Sequence, residues 1–157
     1  MKGLLGLEKG CPKYNIQQSD LIVQVDQSVE AIRPYIVSAL IEDITLDDET
    51  IRQIIAMQED LHHTIGRRRA KVSIGIHNFD VLKPPIIYTT ETPDFKFIPL
   101  GGVEPLSMAE ILEETPVGQK YGWIVAKHPR YPILIDSLGQ VLSFPPIILS
   151  LIHISEP

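Results

Sequence analysis

The sequence predicts an α+β domain of short, mainly antiparallel strands, with one long amphipathic helix and one short helix. Short β-branched and aliphatic runs recur along the 157 residues. Thirteen prolines separate many of these runs with stiff turns. Helical periodicity is pronounced only at about residues 47–66. With 44% hydrophobic and 22% charged residues, the chain has the composition of an ordinary folded domain.

Strand patterns occur at residues 21–25, 35–41, 72–77, 86–90 and 95–98. Residues 35–41 are apolar on both faces, which predicts a strand buried inside a sheet. Residues 133–136 and 141–144 predict a hairpin, with residues 137–140 as its turn.

The long helix is predicted from aliphatic side chains that repeat at helical spacing, namely Ile51, Ile54, Ile55, Leu61 and Ile65. Thr45 or Asp47 can cap its first turn, and Gly66 can end it. A shorter helix is predicted at about residues 107–114, where Ser107 and Glu110 have the spacing of a capping box. Residues 116–121 are expected to add a helical turn.

Composition also bears on the class of protein. The formal net charge of −6 argues against nucleic-acid binding driven by overall charge. Cys11 is the single cysteine, which excludes an internal disulfide and a cysteine-based zinc site. Since no apolar run suits a signal peptide or a membrane span, we expect a cytoplasmic protein without membrane contact.

The strongest local charge is a basic cluster formed by Arg67, Arg68, Arg69 and Lys71. Such a cluster can contact the phosphates of an RNA backbone. It can equally be a solvated helix end, where cations meet the negative end of the helix dipole. The pattern alone leaves both interpretations open.

Other polar groups give weaker signals. His62 and His63 are adjacent on the predicted helix and face different directions, so they cannot chelate one metal, and no metal site is predicted. His77 and Asp80 could form an oriented imidazole pair, or a structural hydrogen bond. Phosphate-binding, dinucleotide-binding and nucleophile-elbow motifs are lacking, so the residues alone reveal no catalytic group.

An ordered set of segments resembles the phenylalanyl-tRNA synthetase β subunits of the archaeal and eukaryotic type. The segments are GLLGLEKGCPKY (3–14), IRPYI (32–36), QEDLH (58–62), GRRRAKVSIGIH (66–77), FIPL (97–100), EILEE (110–114), YPILIDS (131–137) and VLSFPPII (141–148). The resemblance implies a role in aminoacylation and in hydrolysis of tyrosine mischarged onto the phenylalanine tRNA. Implied partners are that tRNA and an α subunit, in a heterotetramer of two α and two β chains. ATP and Mg²⁺ would bind elsewhere in the synthetase, so no cofactor is expected in this chain.

The resemblance also implies where the editing pocket begins. Leu142, Ser143, Pro145 and Pro146 would form one wall of it, and the remaining pocket residues would come from outside this chain. The family pattern Ile-His-Asp-Leu-Asp is matched at His77 and Asp80, but Asn78 and Phe79 replace its middle residues. The loss of that acid weakens a proton-transfer role there.

By the same resemblance, residues 1–20 are the end of a preceding domain or a linker, 21–148 are part of the editing domain, and 149–157 are a non-native tail. The chain alone is then expected to be inactive. Two alternatives stay open: a non-catalytic RNA-binding or subunit-assembly module, and a freestanding deacylase acting in trans.

Overall fold

A computed structural model describes residues 15–149, so predictions for Cys11 and for the tail beyond Leu149 lie outside the described residues. The strands are β1 (Val23–Val25), β2 (Ile86–Glu91), β3 (Lys96–Phe97), β4 (Leu106–Ser107), β5 (Tyr131–Ile135) and β6 (Val141–Ser143). The helices are α1 (Asp48–His63), α2 (Met108–Glu114) and α3 (Pro116–Tyr121). Single 3₁₀ turns lie at Gln27–Val29, Phe79–Val81 and Gly122–Ile124.

The main sheet has the strand order β1-β2-β5-β6. β1 runs parallel to β2, and the other two pairings are antiparallel. A register shift between Leu134 and Ile135 interrupts the hairpin of β5 and β6. A second, two-stranded antiparallel sheet joins β3 to β4. The predicted α+β class with mainly antiparallel short strands is confirmed.

The core lies between this sheet and the two short helices. Its buried members are Phe97, Met108, Ile111, Tyr121, Val125, Tyr131, Ile133, Val141, Phe144, Ile147 and Ile148. The Tyr131 and Phe144 rings stack with centroids 5.8 Å apart. Along β2 the side chains alternate between buried and half-buried, as the two-residue period of a strand requires.

The predicted helix ends are close to the observed ones. Asp47 caps α1 by accepting a hydrogen bond from the Thr50 N–H at 2.8 Å. Ser107 and Glu110 form the expected capping box of α2. Thr115 caps α3 through the Gly118 N–H. Within residues 15–149, no helix is both long enough and apolar enough to cross a membrane.

The aliphatic face predicted for α1 is only partly covered. Ile51, Ile54 and Leu61 are half-buried, whereas Ile55 and Ile65 are exposed. The one buried residue of the helix is His62. The helix is therefore held to the rest of the chain partly by the hydrogen bonds of His62 and its neighbours. The sequence pattern had predicted aliphatic packing in that place.

Two predicted strands are wrong for the described structure. Residues 35–41 form no strand, and Tyr35 and Val37 are 93% and 97% exposed. Residues 72–77 also lie outside every strand. A strand requires a neighbouring backbone to satisfy its hydrogen-bonding groups, and sequence pattern does not say whether one is present.

The turn between β5 and β6 depends on Asp136, a buried carboxylate. Its Oδ1 accepts hydrogen bonds from the Leu138 and Gln140 N–H groups, each at 2.9 Å. Its Oδ2 accepts from the Lys83 N–H at 3.3 Å. Gly139 has a positive φ of 78°, which glycine adopts without strain. The carboxylate thus fixes both the hairpin turn and the approach to β2.

Candidate functional site

The turn that follows α1 has an unusual backbone. Arg67, Arg68 and Arg69 all have positive φ, at 47°, 56° and 66°. Non-glycine residues avoid this region, at a cost of about 1–2 kcal/mol each. The Arg69 N–H donates to the His62 carbonyl at 3.2 Å, and the Lys71 N–H donates to the Gly66 carbonyl at 2.9 Å. We name residues 66–73 the arginine turn.

The arginine turn divides the basic cluster. Arg67, Arg68 and Lys71 are exposed, whereas Arg69 is 8% exposed and points inward. The RNA contact predicted for the cluster therefore stays a prediction for its exposed members. For Arg69 the interpretation as a solvated helix end is wrong, because this side chain is buried. The left-handed backbone of the turn directs it toward the interior of the domain.

Arg69 links three parts of the chain. Its Nη1 donates to the carbonyls of Pro146 and Ile147, at 3.2 and 3.0 Å. Its Nη2 donates to Glu59 Oε1 at 2.8 Å. The guanidinium also lies 4.2 Å above the centroid of the Tyr121 ring, a cation–π contact. The planar, always charged guanidinium can hold these groups at once because its donors point in fixed directions.

A second arginine, Arg33, donates hydrogen bonds to the backbone of the arginine turn. Arg33 Nη1 donates to the carbonyls of Arg69 and Ala70, both at 3.3 Å. The Tyr88 hydroxyl in turn donates to the Arg33 carbonyl at 2.8 Å. Burial raises the pKa of Tyr88 to about 12 and lowers that of Arg33. These bonds help to offset the backbone strain of the arginine turn.

The segment after the turn is fixed by side chains of α1. The Ile74 N–H donates to His62 Nε2 at 2.8 Å, and Gln58 Nε2 donates to the Ile74 carbonyl at 2.9 Å. Since His62 Nε2 accepts, the ring proton is on Nδ1 and donates to Glu59 Oε1 at 3.1 Å. Two side chains thus replace the strand partner that was expected for residues 72–77.

Glu59 and His62 are tuned by this network. Partial burial raises the pKa of Glu59, but hydrogen bonds from His62 and Arg69 outweigh that effect and lower it overall. Burial lowers the pKa of His62, with a further contribution from the Arg69 charge. The folded state therefore favours a neutral imidazole and an ionised carboxylate.

The folded protein should consequently lose stability on mild acidification. His62 has an ordinary pKa of 6.5 in the unfolded chain and a lower one in the fold, so the unfolded state binds more protons as the pH falls through this value. The free energy of unfolding should be highest above pH 6.5 and decline below it. Half-buried His77, whose pKa burial also lowers, should add to the decline. Urea titrations between neutral pH and pH 5 measure this slope.

A matched pair of variants shows whether His62 causes the pH dependence of the free energy of unfolding. His62→Gln should flatten it, because the titrating ring is removed. His63→Gln changes the next residue along the helix, which is exposed, and should leave the slope unchanged. Equal slopes in both variants and the parent would contradict the role given to His62.

The predicted pocket wall lies at the carbonyls that Arg69 binds. Leu142, Ser143, Pro145 and Pro146 are all buried. The segment closes on itself, since the Phe144 N–H donates to the Ile148 carbonyl at 2.7 Å and the Ile147 N–H to the Phe144 carbonyl at 2.7 Å. The wall is therefore a tight turn that follows β6, and Arg69 holds it through the Pro146 and Ile147 carbonyls.

His77 is near this wall, and Asp80 is not bonded to it. At Gly75, an added Cβ would overlap the Leu149 carbonyl and lie 3.0 Å from His77 Nε2, so His77 sits close to the end of the described chain. Asp80 is exposed, and its N–H donates to Asn78 Oδ1 at 3.0 Å. No hydrogen bond joins His77 to Asp80 in residues 15–149, so the oriented pair does not form there.

Several residues of the network carry no recognisable sequence signal. Arg33 and Tyr121 contact the arginine turn across long stretches of chain, and Glu59 contacts Arg69 from 10 residues away, and spacing does not reveal such pairs. Arg33 and Glu59 do fall inside the segments that carry the family resemblance. Over residues 15–149, no group of three or more His, Cys, Asp or Glu side chains is placed to bind a metal ion.

The chain resembles known proteins closely, although no family model matches it. It is 49% identical over 93% of its length to the phenylalanine–tRNA ligase β subunit of Thermococcus onnurineus, and 49% identical over 93% to that of Pyrococcus furiosus. In both cases it spans about a quarter of the relative, 26%. The crystal structure of an N-terminal fragment of the phenylalanyl-tRNA synthetase β subunit from Pyrococcus horikoshii matches with a TM-score of 0.87 and 47% identity. That match covers 93% of this chain and 42% of the fragment.

Proposed function

Because this chain is homologous over 93% of its length to part of the archaeal phenylalanine–tRNA ligase β subunit, we propose that it serves phenylalanyl-tRNA formation as part of that subunit. Its partners are then the ligase α subunit and the phenylalanine tRNA, in the cytoplasm. ATP and Mg²⁺ act in parts of the enzyme that this chain does not span.

We propose further that residues 141–148 form one wall of a hydrolytic pocket for tyrosine mischarged onto the phenylalanine tRNA. The observation that supports this is the fixation of the Pro146 and Ile147 carbonyls by buried Arg69. A pocket that must distinguish two aromatic rings requires walls that do not move. Within this wall Leu142 supplies an apolar side chain and Ser143 a hydroxyl, and both are 3% exposed in the described chain.

The chemistry explains why such a pocket is needed. Phenylalanine and tyrosine differ by one hydroxyl group, and a hydrophobic synthetic site rejects an added hydroxyl only about a hundredfold. A second site that hydrolyses the wrong ester multiplies this discrimination. In this proposal the remaining pocket residues come from parts of the β subunit that the chain does not span.

The test uses the complete ligase, assembled from its α subunit and a full-length β subunit that contains this sequence. Leu142→Ala should slow hydrolysis of tyrosyl-tRNA by at least about tenfold, equivalent to about 1.4 kcal/mol of lost transition-state stabilisation. Charging with phenylalanine should stay within about twofold, because the synthetic site lies elsewhere. Both rates are measured on the same preparation.

The matched control is Ile111→Ala, which also truncates a buried aliphatic side chain but lies on α2. It creates a comparable cavity from a position outside residues 141–148. If both variants lower hydrolysis equally, the effect reflects general destabilisation and the wall assignment fails.

The exposed half of the arginine turn favours one alternative, an RNA-binding role without catalysis. Arg67, Arg68 and Lys71 present three neighbouring cations to solvent. If they contact tRNA phosphates, binding should weaken with salt, and Arg67→Ala with Arg68→Ala should reduce the log–log salt slope by about two. Arg69 is left intact, because its loss would disturb the fold.

The control for charge is the double variant Arg52→Ala with Lys127→Ala, which removes two exposed cations elsewhere. It should leave tRNA affinity unchanged in filter binding. A salt slope that the two double variants lower equally would show overall charge at work and would remove the support for this alternative.

A further inference from the structure

Residues 35–41 have the sequence of a strand but no strand partner among the described residues. The segment runs without turn or bend, and its sequence is a strand pattern. Yet among residues 15–149, no hydrogen bond involves a backbone group of residues 35–46. An extended segment with a row of open N–H and C=O groups is a template for strand pairing.

The large apolar side chains of the segment divide between two faces. Ile36 and Leu40 are half-buried and face the domain. Tyr35, Val37 and Ile41 are 93%, 97% and 69% exposed and face away from it. Ile36 and Leu40 share one face of an extended chain and Tyr35, Val37 and Ile41 share the other, while Ser38 is exposed on the first face. The second face is apolar and uncovered within the described residues.

We propose that residues 35–41 are a strand whose partner is a strand of the same β subunit, from the part that this chain does not span. The proposal rests on the membership of this chain in that longer subunit, and not on editing activity. The curated relatives leave about three quarters of their sequence outside the match, and 58% of the Pyrococcus horikoshii fragment, the complement of the covered 42%, also lies outside it. Enough polypeptide is therefore available to supply the strand and an apolar layer over it.

A partner strand from the same subunit accounts for both the unbonded backbone groups and the exposed apolar side chains. A paired strand satisfies the backbone groups, and the apolar side chains that stand on it cover Tyr35, Val37 and Ile41. A second copy of this chain would offer the same open edge and is the competing occupant. The two differ in their dependence on protein concentration.

Hydrogen exchange of the backbone amides of residues 35–41 tests the proposal. In the full-length β subunit these amides should exchange at least about a hundredfold more slowly than in the 157-residue chain at low concentration. Equally fast exchange in both would overturn the proposal. Protection in the 157-residue chain that rises with its concentration would identify a second copy as the occupant and would also overturn it.

A matched pair of variants gives a second reading. Val37→Lys should lower the Tm of the full-length subunit by several degrees and leave the isolated chain unchanged. Val103→Lys alters another valine, 91% exposed, and should cause no loss of protection at residues 35–41. If Val37→Lys leaves the exchange in the full-length subunit unchanged, no strand partner covers this segment. Hydrolysis of tyrosyl-tRNA enters none of these readouts, so failure here is distinct from failure of the editing proposal.

Discussion

Replacing Arg69 with methionine should destabilise the chain by about 3–4 kcal/mol, because it leaves buried carbonyls without a donor and removes a buried charge partner. The Pro146 and Ile147 carbonyls lose their bonds, and Glu59 loses its closest cation. Methionine fills much of the same volume, so the effect reports lost polar contacts more than a cavity. Urea unfolding at neutral pH measures the change as a shift in midpoint.

Arg68→Met is the matched control. Arg68 has the same left-handed backbone, at φ 56°, but is exposed. Both substitutions therefore carry the same backbone cost, and only Arg69 loses buried contacts. Arg68→Met should change stability by less than about 0.5 kcal/mol. Two equal losses would mean that the turn conformation matters, and not the clamp formed by the Arg69 side chain.

Replacing Gly118 with alanine should also be severe. A Cβ there would overlap the Ile111 carbonyl oxygen and lie 2.6 Å from Leu112 Cα. These are backbone atoms of α2, so neither can swing away, and α3 must move off α2. We expect a loss of about 3 kcal/mol, at the upper end of overpacking effects. The movement should also disturb buried Tyr121, on which the Arg69 guanidinium rests.

Gly122→Ala provides the comparison, four residues further along. Its added Cβ would meet Leu112 Cβ at 3.4 Å, an ordinary contact. Its φ of −57° suits any residue, so alanine there should be neutral or slightly stabilising, by up to about 1 kcal/mol. Thermal unfolding of the two variants side by side measures the difference. Similar losses at both positions would contradict the close helix contact at Gly118.

Elements with local causes were predictable from sequence. The Asp47 cap of α1 and the capping box of α2 require only residues within one helical turn, and the β5–β6 hairpin requires only a short turn between two apolar runs. Residues 35–41 and 72–77, in contrast, form no strand in the described structure. Their patterns are strand-like, but pairing depends on what else the fold brings alongside, which local pattern does not contain.

The candidate site was less predictable for a related reason. The positions of the pocket wall came from family resemblance, and their role stays a prediction. Arg69 reaches carbonyls 77 and 78 residues away in the chain, and nothing in the basic cluster distinguishes it from Arg67 or Arg68. Its inward direction follows from three consecutive left-handed residues, a conformation that arginine propensities argue against.

We propose above all that this chain carries one wall of a hydrolytic pocket and that the rest of the subunit completes it. The most direct measurement is the rate of tyrosyl-tRNA hydrolysis by the 157-residue chain alone and by the complete ligase, at equal concentration. We expect the uncatalysed rate for the chain and rapid hydrolysis by the ligase. Hydrolysis by the chain alone would show a complete pocket within it, and no hydrolysis by the ligase would show that no such pocket exists.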